Sequence, residues 1–468
     1  MNTSADARGL LERRWPLRGL LALALGLTPL APAPGALAQT VQVGGFLSLD
    51  RRFEIGGDSV MVADFYNRFR PELSVNPSED VYLFASMDIR FYDFPTVRSG
   101  SDLEDVERNI PTDVTLWEGY VQLWSFLVDG LDVRLGRQRI QWGTADELNP
   151  TDQLNAYDFS DLVNFTARVP TSAALAEYYA GGLTLTGIWS PAVRPPIMPR
   201  GGGAGLFGGG LPVDSDVVRI TSVEDRIELP SRRLADGLWA FKIAGNAAGA
   251  DYSFSYVSGY DGVPFVRRLD LEASGAGTGA DGFDARMTLG FARTRTVGAD
   301  FATEFRGIGL WGEAALVFPE GQERVVTTTI GATTTVEREV ALDDRAFVRS
   351  TVGLDYTFPG GWYANAQWAH GLFFERGSDE LHDYFVGRLE RSFLQDEVKA
   401  AFGGAMEVGT WSGISDNLGY GVFPELTYSP ADNVALTVGA FVVGGRGSSL
   451  FGAWDGTDQL YSRVKVSF

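Results

Sequence analysis

From Val81 to Phe91 the side chains alternate without a break, with Val81, Leu83, Ala85, Met87, Ile89 and Phe91 at odd positions and Tyr82, Phe84, Ser86, Asp88 and Arg90 at even ones. Successive side chains of a strand point to opposite faces, so this segment reads as a β-strand with one apolar and one charged face. The split recurs in Trp117, Gly119, Val121 and Leu123 against Glu118, Tyr120 and Gln122. It returns in Val348, Val352, Leu354, Tyr356 and Phe358 against Arg349, Thr351 and Asp355, and in Trp362, Ala364, Ala366 and Trp368 against Tyr363, Asn365 and Gln367. Seventeen segments fit a strand: 41–50, 59–73, 80–94, 113–126, 130–140, 172–179, 181–190, 235–246, 250–260, 283–297, 303–318, 345–358, 361–374, 394–408, 418–429, 433–444 and 457–468. Turn-forming clusters such as Asn76-Pro77, Asp129-Gly130 and Pro359-Gly360-Gly361 separate them. After residue 40 no run of 18 apolar residues occurs, so nothing there crosses a membrane as a helix.

Ahead of the strands, Arg8, Arg13, Arg14 and Arg18 precede the apolar stretch Leu20 to Leu27, then several prolines and Ala36-Leu37-Ala38. That order of charge, apolar core and small residues is the order of a secretory signal peptide. Pro29, Pro32 and Pro34 interrupt the run before the roughly 20 residues a spanning helix needs. Residues 1–38 are therefore expected to be removed near Ala38, leaving 39–468 as the exported chain. The absence of Cys rules out disulfides, thiolate metal sites and thiol nucleophiles. A net charge of -21 argues against nucleic acid as a partner, since that affinity comes from Lys and Arg neutralising phosphates.

Amphipathic strands in this number suit a soluble sandwich, a propeller array or a membrane barrel. The segments exceed the usual soluble strand of about 5–6 residues and match tilted membrane spans. Aromatic residues stand at strand ends, as in Phe91-Tyr92, Trp124, Trp189, Tyr356 and Phe358, where an interfacial girdle needs them. No propeller-type repeat of about 40 to 50 residues is found. At the C-terminus Leu460, Val464, Val466 and Phe468 alternate with Tyr461, Arg463, Lys465 and Ser467. This ending resembles the C-terminal signal of Gram-negative outer-membrane barrels, whose amphipathic last strand finishes in an aromatic residue, usually Phe. The resemblance implies the outer membrane, contact with its lipid and lipopolysaccharide, and recognition of the Phe468 strand by the barrel-assembly machinery. The expected fold is all-β: a transmembrane antiparallel β-barrel of about 16 strands, 14 to 18 being admissible, with 172–179 and 181–190 read as one bent or short hairpin.

Barrels of about 16 to 18 strands leave an aqueous channel. The inward faces would carry Asp64, Arg68, Asp88, Arg90, Glu118, Asp132, Arg134, Lys242, Glu313, Glu397, Lys399, Arg463 and Lys465. Burying so many charges dry would cost several kcal/mol each even when paired, so water is expected among them.

One region departs from simple hairpins. It reads Leu135-Gly136-Arg137-Gln138-Arg139-Ile140-Gln141-Trp142-Gly143, then Asp146, Glu147, Asn149-Pro150-Thr151-Asp152, Asn155 and Tyr157-Asp158-Phe159-Ser160-Asp161. Over about 130–190 the succession Gly-Arg-Gln, Trp-Gly, Asn-Pro-x-Asp resembles a family of porin-like outer-membrane proteins. Ala156 stands where that family has a second Asn-Pro pair, and Thr144 where an acid often follows Trp-Gly. The resemblance implies a pore-type barrel of unsettled substrate, sometimes linked with lipid, hydrocarbon or polymer export.

Asn-Pro and Asp groups cap turns and short helices, so 144–170 is expected to fold into the lumen as an inward loop with short helical turns. A constriction would then be lined by Arg90, Glu118, Arg134, Arg137, Arg139, Asp146, Glu147 and Asp152. Arg137 and Arg139 would face the three acids of the loop, placing a transverse field across the throat. The alternative is that these charges merely pin the loop to the wall. A second long loop, 191–233, holds Pro195-Pro196, Pro199 and the run Gly201 to Gly210, and is expected as a mobile loop or partial plug. It lacks the Lys-Ser/Thr of a phosphate loop.

Other candidates are bland. His370 and His382 lie near Glu375, Asp379, Glu380 and Asp383, a composition that suits a solvated external loop, and no Gly-x-Ser-x-Gly elbow occurs. No catalytic residue, metal or cofactor is expected. Thr327 to Thr335 around Gly331 reads as the tip of a hairpin protruding beyond the membrane. The sequence points to a channel for small solutes or for an exported hydrophobic or polymeric molecule, and not to an enzyme. A structural or adhesion barrel whose loops bind a partner is the alternative, with an outer-membrane hydrolase behind it.

Overall fold

The computed structural model describes residues 40–56, 59–63, 66–198, 219–274, 282–446 and 449–468. The signal segment and its cleavage, Asp64 and the run Gly201 to Gly210 lie outside the described residues. Eighteen strands form one antiparallel ring. In chain order they are Thr40–Glu54, Asn67–Ser78, Val81–Phe91, Thr112–Leu123, Leu131–Gln138, Thr171–Ala180, Leu183–Ser190, Leu238–Ala247 and Ala250–Tyr260. Arg293–Phe305, Ile308–Pro319, Phe347–Phe358, Trp362–His370, Asp383–Phe393, Val398–Val408, Leu418–Ala431, Val434–Gly445 and Gln459–Ser467 follow. The ring closes where the first strand pairs with the last, from Phe46 opposite Ser467 to Glu54 opposite Gln459.

The count is two above the expected 16, and particular residues explain the gap. Thr171–Ala180 and Leu183–Ser190 are two complete wall strands joined at Gly181-Gly182, not one bent hairpin. Asp383–Phe393 was missed because Gly387 and Arg391 sit on its outward face, beside Leu389 and Phe393, and break the apolar alternation. The segment 283–297 spans two elements: Gly282–Gly290 leaves the wall and Arg293–Phe305 belongs to it.

Alternation places the apolar residues outside. Leu83, Met87, Phe241, Ile243, Phe254, Val297, Val352, Phe402, Leu426, Val438 and Leu460 are all exposed, around the whole ring. So continuous an apolar band is what lipid, not water, covers. Exposed Trp124, Tyr179, Phe305, Phe358, Trp362 and Phe393 mark one rim, where the turns are short; Trp239, Trp368 and Trp411 mark the other. Thr40 and Ser467 both lie at the short-turn rim, because Thr40 is opposite Asn76 and Ser467 donates to the Asn433 carbonyl. All long connections therefore leave from the opposite rim. Among the described residues no helix is long and apolar enough to span a membrane.

Above the long-loop rim sits a second sheet of five strands, ordered Thr333–Leu342, Gln322–Ile330, Phe265–Ser274, Gly282–Gly290 and Ile220–Ile227. Three different outer loops supply it. The segment read as a protruding hairpin tip is the antiparallel pair 322–330 and 333–342, turning at Gly331, and its first strand runs parallel to Phe265–Ser274. Val266, Leu269, Leu271, Ala285, Met287 and Leu289 form a small core on one face. On the other, Arg286 meets Glu224 and Glu272.

Candidate functional site

The long connection between Leu131–Gln138 and Thr171–Ala180 folds into the lumen, and the motif residues hold it there. Gly136 has φ +132, and a Cβ there would stand 2.3 Å from the Gly119 carbonyl oxygen. Gln138 is fully buried and donates to the Ala173 carbonyl at 3.0 Å. Trp142 packs with Ile140, Leu154, Leu175 and Ile188 on the inner wall. Gly143, at φ +90, brings the chain so close to Glu313 that a Cβ would lie 2.4 Å from its Oε1.

Glu313 anchors the loop from the far wall. Its Oε1 accepts from the Thr144 and Ala145 amides at 2.5 Å each and from Asn149 Nδ2 at 2.9 Å; its Oε2 accepts from Thr151 Oγ1 at 2.7 Å. The carboxylate is 4% exposed, so donors replace the water it has lost. Further along, Asn155 accepts from the Ile140 amide at 2.8 Å and donates to Val169 at 2.9 Å. A short 3₁₀ turn, Leu162–Asn164, is capped by Asp161.

The predicted field residues are not brought together as expected. Asp152 pairs with Arg168 at 3.4 Å, within its own loop. Arg139 lies 3.6 Å from Glu118 and donates its amide to the same side chain at 2.9 Å. Arg134 donates to Gln122 at 2.7 Å and stacks over Tyr120. Asp146 accepts from Asn365 at 3.2 Å, and Glu147 is exposed beside it. Arg137 lines a cavity with Arg90 and Trp117. For Arg134 and Arg139 the reason is local: each is met by a side chain of the adjacent strand, Gln122 and Glu118, before the loop reaches it. Of the other inward charges, Glu397 falls in the short turn after Phe393 and is no wall residue.

Other residues build the charged wall. Asp88 is 1% exposed and meets Arg68 at 3.2 Å, Arg70 at 3.0 Å and Arg90 at 2.7 Å. Arg90 reaches on to Asp158 at 2.6 Å and Ser160 at 2.9 Å. Arg52 joins Asp50 at 2.7 Å to Asp161 at 2.8 Å, and Arg463 joins Asp50 from the last strand at 3.0 Å. Despite burial, the cations Arg52 and Arg463 hold the Asp161 carboxyl below its ordinary range. Trp117, expected on the lipid face, is instead 4% exposed inside, under Arg70 at 4.6 Å and Arg90 at 5.2 Å. A bulge opposite Ser86 and Met87 adds one residue there and turns the indole inward. Asp158 and Asp161 stood in the quoted motif, whereas Arg52 and Trp117 carried no signal that alternation alone reveals.

Two cavities, of about 460 and 170 Å³, share Arg90, Tyr66, Tyr92 and Ser160 along this wall. Elsewhere the outer lumen is packed with apolar groups. Tyr157 stacks on Phe373 at 3.7 Å, and Phe159, Phe441, Val443, Phe451 and Trp454 surround them. Beside this cluster His382 Nδ1 lies 2.7 Å from Glu407 and 3.4 Å from Glu375. Leu450 and Phe451, in the short helix Leu450–Ala453, donate their amides to Glu407 at 2.8 and 3.1 Å. Tyr384 donates to Glu375 at 2.5 Å. The hydrogen bond to Glu407 raises the His382 pKa, and burial raises that of Glu375. The three side chains put donor atoms within 4.8 Å of one another, a spacing a metal ion accepts. Their carboxylates already take protein N–H and O–H groups, the arrangement of a latch between two outer loops.

The ring, the apolar belt and the charged lumen define a transmembrane β-barrel carrying an inward loop. No protein-family model and no curated protein matches the chain in sequence. Among solved structures it is similar to Pseudomonas aeruginosa OccK9 (OpdG), with 11% identity and a TM-score of 0.49 over 92% of this chain and 97% of that one. Pseudomonas aeruginosa OpdL gives 10% and 0.48 over 92% and 98%. Salmonella typhi OmpF, solved in complex with daunomycin, gives 10% and 0.38 over 92% and 97%.

Proposed function

We propose that the chain is an outer-membrane channel through which small solutes pass along the arginine-lined side of the lumen, beside the loop 139–170. What carries the reading is the pair of contiguous cavities between that loop and the wall bearing Arg68, Arg90 and Arg463. A dry interior would not keep so many guanidinium groups, whereas a hydrated passage does. Thr40, Ser467 and the short turns then face the periplasm and the long loops the exterior, as in barrels of this kind. Arg137 and Arg90, which line the larger cavity, are the proposed constriction residues, with Asp146 and Glu147 nearly opposite in the ring. Planar-bilayer recording of purified protein is the test. Discrete conductance steps that change in size with Arg90→Glu support the reading, and a silent, correctly folded protein defeats it.

One observation favours a second reading. The five-stranded sheet above the rim is built from three loops and has its own small core, more than a passive pore needs. A partner-binding role for that sheet predicts that deleting 321–341 abolishes attachment and leaves conductance unchanged. Neither reading requires catalysis: activity against esters or peptides that vanished in both His370→Ala and His382→Ala would reopen the hydrolase alternative.

A further inference from the structure

Arg68, Arg70 and Arg90 occupy the outer halves of their strands. Nearer the short turns, the same part of the wall presents rings to the lumen. Tyr82 and Phe84 lie on the inward face of Val81–Phe91, the face of Asp88, while Leu83 and Met87 are on the lipid side. Tyr120 stands opposite Phe84 on Thr112–Leu123, on the short-turn side of the point where Arg139 meets Glu118. Ring centroids are 6.4 Å apart for Tyr82 and Phe84, 5.3 Å for Phe84 and Tyr120, and 6.3 Å for Tyr82 and Tyr120. Trp124 continues the group to the rim, 6.1 Å from Tyr82. A barrel in lipid needs rings on its outside, at the interfaces, and keeps its interior polar. A patch of rings whose wall members are only half-buried therefore asks for a reason inside the lumen.

Polar groups border the patch, and the fold does not use them up. Glu72, opposite Ser86 and diagonal to Phe84, forms no ion pair among the described residues. Neither the Tyr82 nor the Tyr120 hydroxyl bonds to a described residue. Arg134 lies over Tyr120 at 4.9 Å and gives its Nε–H to Gln122 at 2.7 Å, again with no ion pair among the described residues. The border thus carries both signs of charge beside neutral donors and acceptors.

We propose that this patch is a subsite for neutral sugar rings, which stack on Tyr82 and Phe84 and bond through their hydroxyls to Glu72, Gln122, Arg134 and the two phenols. A pyranose is apolar on its faces and carries donors and acceptors around its edge, so it satisfies rings and border together. A planar aromatic solute would cover the rings but strip water from Glu72 and Arg134 without replacing it. A charged solute of either sign would meet a like charge at one of those two residues. The subsite deepens the channel reading by naming a solute class for the inner half of the lumen. It rests on that reading for its place on a path, not for binding.

The test is saturation-transfer NMR on the full chain, folded in a detergent without a sugar headgroup, titrated with maltotriose, sorbitol or nicotinamide. Maltotriose is expected to give a saturable signal on its ring C–H protons. Sorbitol, which has hydroxyls but no ring face, should give none, and nicotinamide should bind at least about tenfold more weakly. Phe84→Leu and Tyr82→Leu should each weaken maltotriose about tenfold, Phe84→Tyr should retain most of the affinity, and Glu72→Gln should weaken maltotriose without altering nicotinamide. Phe254→Leu, which removes a ring from the lipid side, should bind as the parent does. Heat-modifiable electrophoretic mobility confirms that each variant is folded. The proposal is overturned by a folded parent with no saturable maltotriose signal, by Phe84→Leu and Tyr82→Leu variants that bind unchanged, or by sorbitol or nicotinamide binding as tightly as maltotriose. Bilayer recording separates the two claims: conductance without maltotriose binding removes the subsite, and maltotriose binding without conductance removes the channel.

Discussion

Replacing Glu313 by Ala removes the anchor that ties the inward loop to the far wall. Four of its accepted bonds come from Thr144, Ala145, Asn149 and Thr151. Hydrogen bonds to a charged group contribute about 1.5–3 kcal/mol each, so the four together hold roughly 6–12 kcal/mol. Ordering the segment from Thr144 to Thr151 costs about 1–2 kcal/mol of backbone freedom per residue, or roughly 8–16 kcal/mol. The two totals are of one size, so without the carboxylate the segment is left to its weaker ties, Asp146 with Asn365 and Gln367 and the Leu148 carbonyl with Thr351, and loosens. Downstream the loop keeps its independent ties, Asp158 to Arg90 and Asp161 to Arg52, so it should open locally and not leave the lumen. Single-channel conductance of Glu313→Ala should rise well above the parent, and limited proteolysis should cut within 144–151. Glu313→Gln, which keeps one accepting oxygen, should fall between. A Glu313→Ala channel with parental conductance and an uncut loop would refute the reasoning.

Gly143→Ala forces a side chain into a positive-φ position and against Glu313; it should reproduce the Glu313→Ala conductance in milder form, and parental recordings would show that the Trp-Gly pair is not needed for close approach. The His382 latch sets a pH dependence. His382 and Glu375 both have raised pKa values when folded, so their stabilisation is present at low pH and is lost as pH rises through the folded values. Thermal unfolding should therefore occur at lower temperature as pH goes from about 6 to about 8, and His382→Gln should flatten that slope; an unchanged slope would detach the latch from stability.

The wall was legible because burial on one side and lipid on the other impose period two on every strand, and all seventeen segments read from that pattern touch a wall strand. The eighteenth failed where an outward arginine, Arg391, stacks on Trp362 at 5.3 Å and hides its charge at the interface. Such a pairing is invisible without the register. The inward loop was legible in its capping residues, but its partners were not. Glu313 lies more than 160 positions from the amides it accepts, and no local pattern encodes which wall a loop will touch. Trp117 misled because a bulge shifts the face of every later residue by one, and strand periodicity carries no mark of an inserted residue. The outer sheet pairs strands from separate loops, two of its contacts being parallel, so hairpin punctuation could not disclose it.

Ion preference follows from which charges a passing solute meets. The chain carries -21 overall, which alone would favour cations. At physiological salt, however, fields fade over about 8 Å, so charge on outer loops does not reach the passage. Glu54, half-buried, and Asp113, exposed, line the larger cavity at the outer ends of their strands. Behind the arginines of the two cavities, however, the acids are covered: the side chains of Asp88, Asp158 and Asp50 are 1%, 3% and 1% exposed. The arginines over them remain accessible, with Arg68 at 26% and Arg463 at 28%. A buried carboxylate fixes an arginine without presenting itself to the water, so the wetted face is cationic although the wall is nearly neutral. Under a potassium chloride gradient the reversal potential should carry the sign of chloride preference and shrink as total salt rises. Arg68→Gln combined with Arg463→Gln should move it toward zero. A cation-selective parent channel would mean that the path runs along the Asp146 and Glu147 side instead, and the arginine wall would then be structural alone.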